Sequence, residues 1–119
     1  MSIQLEHVTF DAANAAGLAA FWSGVFERPV DAEGNEFFAT VGRAEPALSP
    51  VLMFIQVPEE RAGKNRLHLD LASDDWSAEV DRLVGLGAKR LNEYDEYGAH
   101  WVTLADPEGN LFDVAEIRA

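Results

Sequence analysis

Two stretches of alternating residues constrain the fold of this chain more than any other feature. In each stretch, apolar residues alternate with polar ones, and one of the polar residues is a histidine. The polar positions are His7, Thr9 and Asp11 near the start of the chain and Arg66, His68 and Asp70 in its second half. A period of two is typical of a β-strand with one buried face. The chain is therefore predicted to contain two similar strands, each with a histidine on its polar face.

The pattern around each of these strands also repeats. Apolar residues recur three and four positions apart, which predicts one helix over about 14–27 and a second over about 76–86 that ends at Gly87. Strands are predicted at 3–11, 37–42, 51–57, 66–72, 88–91, 100–105 and 111–117, with a turn between short strands at 30–36. The run at 51–57 is predicted to be buried on both faces, and 92–99 to be a loop. The order is strand, helix and three strands, twice over.

Residues 58–64 resemble a linker and divide the chain nearly in half. We expect a single domain, 1–119, with module one at about 1–57 and module two at about 65–119. A helix that returns onto its sheet covers one face, and this face should carry Val8 and Phe10, or Leu67, Leu69 and Leu71. The polar faces line a ligand cleft if the two sheets curve together, and Trp101 is a candidate for lining its mouth.

Composition excludes several classes of function. The chain has no cysteine, which rules out disulfides and thiolate chemistry. Nine basic and 21 acidic residues give a formal charge of −12, so nucleic acid is not an expected partner. The charge favours either solubility alone or a cationic ligand. The start of the chain does not resemble a signal peptide, and no apolar run approaches the length needed to span a membrane, so we expect a cytoplasmic protein.

Taken together, these patterns resemble the vicinal oxygen chelate superfamily, which includes glyoxalase I, extradiol dioxygenases and bleomycin resistance proteins. The resemblance rests on the paired modules and on Leu5-Glu-His-Val8, Lys64-Asn-Arg-Leu-His-Leu-Asp70 and Trp101-Val-Thr-Leu-Ala-Asp-Pro-Glu-Gly-Asn-Leu-Phe112. The last two stretches resemble the glyoxalase-like domain branch in particular. The resemblance implies an α+β fold in which two tandem βαβββ modules form a curved eight-stranded sheet with a central cleft and helices on its outer face. It also implies a homodimer.

The resemblance further implies a site for one divalent metal ion, Zn, Ni, Mn or Fe(II), with His7, His68 and Asp113 as ligands. Two imidazoles and one carboxylate suit such an ion. The pattern departs from glyoxalase I, because Gln56 stands where a glutamate is expected and the shorter Asp113 replaces another. Glu116 has the wrong parity to share a strand face with Asp113. The chain is therefore not expected to be glyoxalase I itself.

Three functions remain open from the sequence. The first is a metal-dependent lyase, isomerase or dioxygenase-like enzyme that chelates vicinal oxygens of a small molecule, with His68 and Asp113 as catalytic residues. The second is a metal-free protein of the bleomycin-resistance type that sequesters a cationic or aromatic ligand. The third is a module retained for oligomerisation or regulation. The ligand-binding candidates are Thr9, Gln56, Arg66, Asp70 and Trp101. His100 is either a proton shuttle at the cleft rim or a solvated residue at a strand end.

Overall fold

A computed structural model describes residues 3–118 of the chain. The chain divides into two compact units, Met1–Glu60 and Arg61–Ala119, and the division falls inside the stretch predicted as a linker. Two helices and seven strands occur within residues 3–118. The α+β class is therefore confirmed. No helix in this range is long and apolar enough to cross a membrane.

The first unit is a three-stranded sheet with one helix on it. Its elements are β1 (His7–Ala12), α1 (Ala15–Phe26), β2 (Phe38–Val41) and β3 (Val51–Gln56). The strand order is β1-β3-β2, with β1 parallel and β2 antiparallel to the central β3. Trp22 of α1 is buried and lies 5.4 Å from the ring of Phe10, which stacks on Phe54 at 5.1 Å between ring centroids. The helix thus covers the Phe10 face of the sheet, as predicted.

Both ends of α1 follow from local sequence. The Asn14 side chain accepts a hydrogen bond from the Gly17 amide, which satisfies one of the free donors of the first turn. Glu27 adopts a left-handed conformation, with φ of 54°, and closes the last turn. Pro29 then prevents further helix. The predicted span of 14–27 corresponds to the helix with its two caps.

The second unit is a four-stranded sheet that also carries one helix. Its elements are β4 (Asp70–Ser73), α2 (Trp76–Leu86), β5 (Lys89–Glu96), β6 (Ala99–Ala105) and β7 (Leu111–Glu116), and the strand order is β4-β7-β6-β5. The buried core includes Val80, Leu83, Val102, Leu104, Phe112 and Val114. The Trp76 indole N–H donates a hydrogen bond to the Val114 carbonyl at 2.9 Å. This bond links α2 to β7, one of the two inner strands of the sheet.

Two strands of the first unit differ from their predicted extent. β1 begins at His7 instead of residue 3 because its partner β3 begins at Val51, directly after Pro50, which has no N–H for a sheet ladder. The short strand predicted near Val30 consists of one bridge, Val30 with Val41. The prediction that 51–57 is buried on both faces is wrong, because only the alternate residues Leu52 and Phe54 are buried.

Two strands of the second unit also differ. β4 begins at Asp70 instead of residue 66, and Leu67 is 74% exposed, so its predicted burial is wrong. The backbone ladder between β4 and β7 begins only at the Asp113 amide, which donates to the Leu69 carbonyl. β5 continues to Glu96 through residues predicted as a loop, because it pairs with β6 after a register shift between Arg90 and Glu93.

Candidate functional site

Three polar residues lie side by side across the second sheet, on the face opposite α2. Asp70 of β4 pairs in register with Asp113 of β7, and Asp113 pairs with Thr103 of β6. Register partners on neighbouring strands lie about 4.8 Å apart and point to the same face. This sheet therefore brings two carboxylates directly opposite each other, with a hydroxyl beside them.

His68 lies next to both carboxylates. Its Nδ1 is 2.9 Å from Oδ1 of Asp70 and 3.8 Å from Oδ2 of Asp113. The three side chains differ in exposure, at 41% for His68, 70% for Asp70 and 24% for Asp113. The geometry gathers two predicted catalytic residues, His68 and Asp113, together with one predicted ligand-binding residue, Asp70.

These three residues form a donor set that suits a divalent cation. One ligand atom from each residue can be chosen so that all three lie within 4.8 Å of one another. Bonds of about 2.0–2.2 Å to one ion place neighbouring ligand atoms about 3–4 Å apart, which is close to the spacing of these atoms. One imidazole nitrogen and two carboxylate oxygens are ligands accepted by Zn, Mn, Ni and Fe(II).

Thr103 orients the Asp113 carboxylate. Its hydroxyl donates to Oδ1 of Asp113 at 2.6 Å, which leaves Oδ2 facing His68. A hydrogen bond that fixes one oxygen of a ligating carboxylate is a common support of metal sites. The sequence interpretation did not identify Thr103. The only sequence feature that could have indicated Thr103 is its position two residues after Trp101, which predicts that both side chains lie on the same face of β6.

Two aromatic rings lie on the same sheet face. Trp101 pairs in register with Ala115 on one side and with Tyr94 on the other, so all three share the face of Asp113. The rings of Tyr94 and Trp101 stack with centroids 5.1 Å apart and planes 21° from parallel. Both rings are partly exposed. They offer a planar apolar surface on the face that carries the carboxylates.

The remaining predicted site residues of the first unit lie on both faces of its sheet. His7 and Thr9 pair in register with Val51 and Met53, on the face away from α1. Gln56 pairs with the buried Ala12, and its side-chain amide donates to the Ala13 carbonyl at 2.9 Å. The structure therefore separates Gln56 from Thr9 by the thickness of the sheet.

His7 contacts a residue that the sequence interpretation did not identify. Its Nε2 lies 3.4 Å from a guanidinium nitrogen of Arg43. The contact occupies Nε2, and Nδ1 is the ring nitrogen that could still bind a metal ion. His7 as a metal ligand therefore stays a prediction.

In the second unit, Arg66 is exposed and makes no ion pair with the residues described.

His100 lies on the α2 face of its sheet, away from His68. Its Nε2 is 2.7 Å from Glu93 and its Nδ1 is 3.0 Å from Glu116, and its ring centroid is 4.3 Å from that of Trp76. The hydrogen bonds with Glu93 and then Glu116 raise the pKa of His100, although burial opposes the shift. The bond with His100 is also the main reason that the pKa of each glutamate lies below its ordinary value. His100 is thus neither a solvated strand end nor a neighbour of the site.

The comparisons with known proteins agree with this architecture. The model of the glyoxalase-like domain family matches residues 7–115. No curated protein matches the sequence significantly. Among solved structures, a glyoxalase/bleomycin resistance protein/dioxygenase family enzyme from Burkholderia phytofirmans PsJN has a TM-score of 0.79 at 17% identity, covering 98% of this chain and 100% of the other.

Two further structures are similar. A mutant of the fosfomycin resistance protein FosX from Listeria monocytogenes, complexed with Mn(II) and 1S,2S-dihydroxypropylphosphonic acid, has a TM-score of 0.74 at 12% identity, covering 97% of this chain and 90% of the other. Lactoylglutathione lyase from Agrobacterium tumefaciens has a TM-score of 0.65 at 18% identity, covering 98% of this chain and 94% of the other. At these identities the likeness concerns the fold. The family match over nearly the whole chain shows that it belongs to the glyoxalase-like domain family, within the vicinal oxygen chelate superfamily that its sequence resembles.

Proposed function

We propose that the chain binds one divalent metal ion through His68, Asp70 and Asp113 and acts as a metal-dependent enzyme of lyase, isomerase or dioxygenase type. Its substrate would be a small molecule with vicinal oxygens. The observation that carries this proposal is the contact of His68 Nδ1 with two carboxylates that are register partners. A FosX structure of the same fold contains Mn(II), which makes a metal in this fold chemically reasonable.

Electrostatics supports a cation at this position. Like charges directly opposite each other on neighbouring strands destabilise a sheet, and Asp70 and Asp113 are in that relation. Two carboxylate side chains beside one imidazole place negative charge on this part of the sheet. A divalent cation balances this charge and removes the repulsion. The cost of holding two acids together is then offset when the ion binds.

The residues around the ion would have separate roles. A bound ion supplies Lewis-acid polarisation of a substrate oxygen. Asp113 would help to hold the ion, and the Thr103 hydroxyl would orient its carboxylate. Asp70 and His68 would complete the set of residues that hold the ion. Tyr94 and Trp101 bind a planar part of the substrate on the same face.

The finer features of the architecture are part of this proposal. The two units would act as tandem modules of one domain, with their sheets forming an open, curved, eight-stranded sheet around a cleft. The segment near Val30, which forms a single bridge with Val41, would be the eighth strand in that arrangement. The similarity to whole chains of the same fold supports this arrangement. A homodimer in the cytoplasm remains our expectation for its assembly and location.

The test is metal binding by full-length protein purified without a histidine tag. Metal content is measured first, and thermal unfolding is then followed with Mn(II), Zn(II), Ni(II) and Fe(II). At a free metal concentration of about 100 times Kd, binding stabilises a protein by about 2.7 kcal/mol. We expect His68→Ala and Asp113→Asn to abolish this stabilisation. Thr103→Val should weaken metal binding about 10- to 100-fold, because it removes only the orienting hydrogen bond.

Matched variants separate a site effect from a general effect of charge. Asp81→Asn removes the same charge from an exposed position on α2, so its metal affinity should equal that of the wild type. His7→Ala tests the remaining predicted ligand, and an affinity loss as large as that of His68→Ala would add His7 to the set. The proposal is wrong if no metal is present and none of the four ions stabilises the protein.

A second candidate function is a metal-free protein that binds an aromatic cation. The stacked Tyr94 and Trp101 rings beside two carboxylates favour it, because aromatic faces and acids together recognise such ligands. Quenching of tryptophan fluorescence by an aromatic quaternary ammonium compound, in protein treated with a chelator, would favour this function over the first. The affinity should fall as salt rises.

A further inference from the structure

Arg43 carries a cation on the polar face of the first unit. Its guanidinium carbon lies 5.9 Å from the centroid of the Phe38 ring, and one of its nitrogens lies 3.4 Å from Nε2 of His7. Between residues 3 and 118, Arg43 makes no ion pair with any carboxylate. The charge of Arg43 acts on the nearby Asp31 carboxylate without forming an ion pair with it, so most of the guanidinium donors are available to bind an anion.

The backbone that carries Arg43 is held firmly. The Asp31 carboxylate accepts hydrogen bonds from the Thr40 hydroxyl at 2.7 Å and from the amides of Arg43 and Ala44 at 3.0 and 2.9 Å. Burial raises the pKa of Asp31, but these bonds and the charge of Arg43 outweigh it, and the pKa lies below its ordinary value. Asp31 therefore stays ionised and anchors the loop where it leaves β2.

Gly42 makes the turn before Arg43 possible. Its φ is +105°, a conformation that other residues rarely adopt, and an added Cβ would lie 2.6 Å from the Cβ of Leu48. The direction in which the chain enters the loop is thus set by sterics as well as by Asp31. Arg43 begins from a defined backbone position, and this reduces the entropy that it loses on binding a ligand.

The contact with His7 fixes the roles of both side chains. A guanidinium only donates hydrogen bonds, so Nε2 of His7 is the acceptor and the ring proton is on Nδ1. Arginine has five N–H donors in a planar fork, and this contact uses one. The others can pair with two oxygens of one anion, the geometry in which arginine binds carboxylates and phosphates.

We propose that Arg43, positioned by His7 and assisted by the Thr9 hydroxyl, binds an oxyanion, either a carboxylate or a phosphoryl group. His7 and Thr9 are alternate residues on one face of β1, about 7 Å apart along the strand. Asp11, the next residue on this face, would repel an anion, so the oxyanion sits at the His7 end. The proposal does not depend on an ion at His68, Asp70 and Asp113, because its own residues belong to the first unit.

The test is a titration of full-length protein, treated with a chelator, with inorganic phosphate and separately with acetate. Ionic strength is kept at about 0.15 M, where the Debye length is about 8 Å and the general negative field is largely screened. Binding is followed by NMR through the Arg43 Nε–H and the backbone amides around it. We expect saturable shifts with at least one anion, and the two arms identify whether the group is phosphoryl or carboxylate.

Variants decide whether Arg43 is the receptor. Arg43→Gln should weaken binding at least about tenfold, and Arg43→Lys should be intermediate because it keeps the charge and loses the fork. Lys64→Gln removes the same charge from an exposed position in the other unit, so its affinity should stay within about twofold of the wild type. The proposal is overturned if wild-type protein shows no saturable shift with either anion, or if Arg43→Gln binds as well as the wild type.

Discussion

At the scale of single residues, His100 is the group whose environment most favours a charge. Both ring nitrogens face carboxylates, so the imidazolium form donates to Glu93 and Glu116 at once. The neutral form can donate only one of these bonds. Other charged and aromatic groups also belong to the cluster around these two glutamates: Trp76 and Arg90, and beyond them Asp95 and Arg118. The cluster is therefore held together most strongly when His100 is protonated and the glutamates are ionised.

This arrangement predicts a stability contribution that depends on pH. Because the pKa of His100 is raised, its contribution is complete below its ordinary pKa and is lost as the pH rises through the folded value. The pKa values of Glu93 and Glu116 are lowered, so their contribution is present above the ordinary glutamate pKa and is lost in acid. His100→Gln should therefore destabilise the protein more at about pH 5.5 than at about pH 9. Urea unfolding of both proteins at each pH measures the difference.

A comparison variant makes this result specific. His7→Gln changes the same residue type in a histidine that contacts an arginine instead of two acids. Its cost at about pH 9 and at about pH 5.5 is the background against which the change for His100→Gln is judged. If His100→Gln costs the same at both values of pH, the imidazolium does not stabilise the native state, and the contacts with Glu93 and Glu116 are no more than surface ion pairs.

The sequence predicts some residues of the candidate site, and the reason is strand parity. His68 and Asp70 belong to one alternating stretch, and Asp113 alternates with the buried Phe112 and Val114. Alternation along a strand predicts which face of the sheet a side chain lies on, but it does not predict which residue of a neighbouring strand it contacts. The contact of Thr103 with Asp113 depends on the register between β6 and β7, and the contact of Arg43 with His7 depends on a loop conformation. Neither is encoded in a local pattern, so both were missed.

At the scale of elements, the start of β4 is set by a side chain. Asn65 accepts a hydrogen bond from the Leu111 amide at 2.9 Å and donates to the carbonyls of Leu111, at 3.3 Å, and Leu67, at 2.6 Å. These are bonds that a paired strand would otherwise make with its backbone. The segment before Asp70 is therefore attached to β7 without a ladder, although its alternating sequence predicts a strand. Sequence alternation cannot distinguish these two modes of attachment.

Removing this attachment should be costly. Asn65→Ala deletes all three hydrogen bonds and leaves the Leu111 amide without its partner, at an expected cost of about 1–3 kcal/mol. Asn92→Ala is the control, since Asn92 is an exposed asparagine in the same unit with no side-chain hydrogen bond in the described part of the chain, and it should stay within about 0.5 kcal/mol of the wild type. Urea unfolding gives both values. Equal stability of the two variants would mean that water replaces the Asn65 bonds at no cost.

β5 shows a second limit of local patterns. Residues 92–99 are acidic and aromatic and resemble a loop, but β5 pairs with β6 as far as Glu96. The register shift between Arg90 and Glu93 changes the parity, so that both of these residues face α2 while Tyr94 faces the other side with Trp101. One inserted residue thus supplies partners for His100 on one face and an aromatic ring on the other. Strict alternation along the strand, without the inserted residue, would not have placed Arg90 and Glu93 on the same face of the sheet.

At the scale of the whole molecule, the dominant property is the formal charge of −12. Excess charge of one sign destabilises a compact state through self-repulsion, and salt screens that repulsion. Between about 0.01 M and about 0.1 M ionic strength the Debye length falls from about 30 Å to about 10 Å, which is less than the diameter typical of a folded chain of about 100 residues. The ion pairs of this chain, such as those of Arg90 and Arg118, are exposed and contribute little. Screening should therefore remove more repulsion than attraction.

We accordingly predict that the urea midpoint rises with NaCl over this range. The exposed pair Glu59→Lys and Glu60→Lys changes the formal charge from −12 to −8, and the rise should become smaller because less repulsion remains to be screened. The exchange of Glu60→Lys with Lys64→Glu keeps the charge at −12 and should retain the full rise. A midpoint that falls with salt in the wild type would show that local attraction outweighs the net charge. In that case the acidic surface stabilises the fold through specific pairs, and neutralising it would cost stability at low salt.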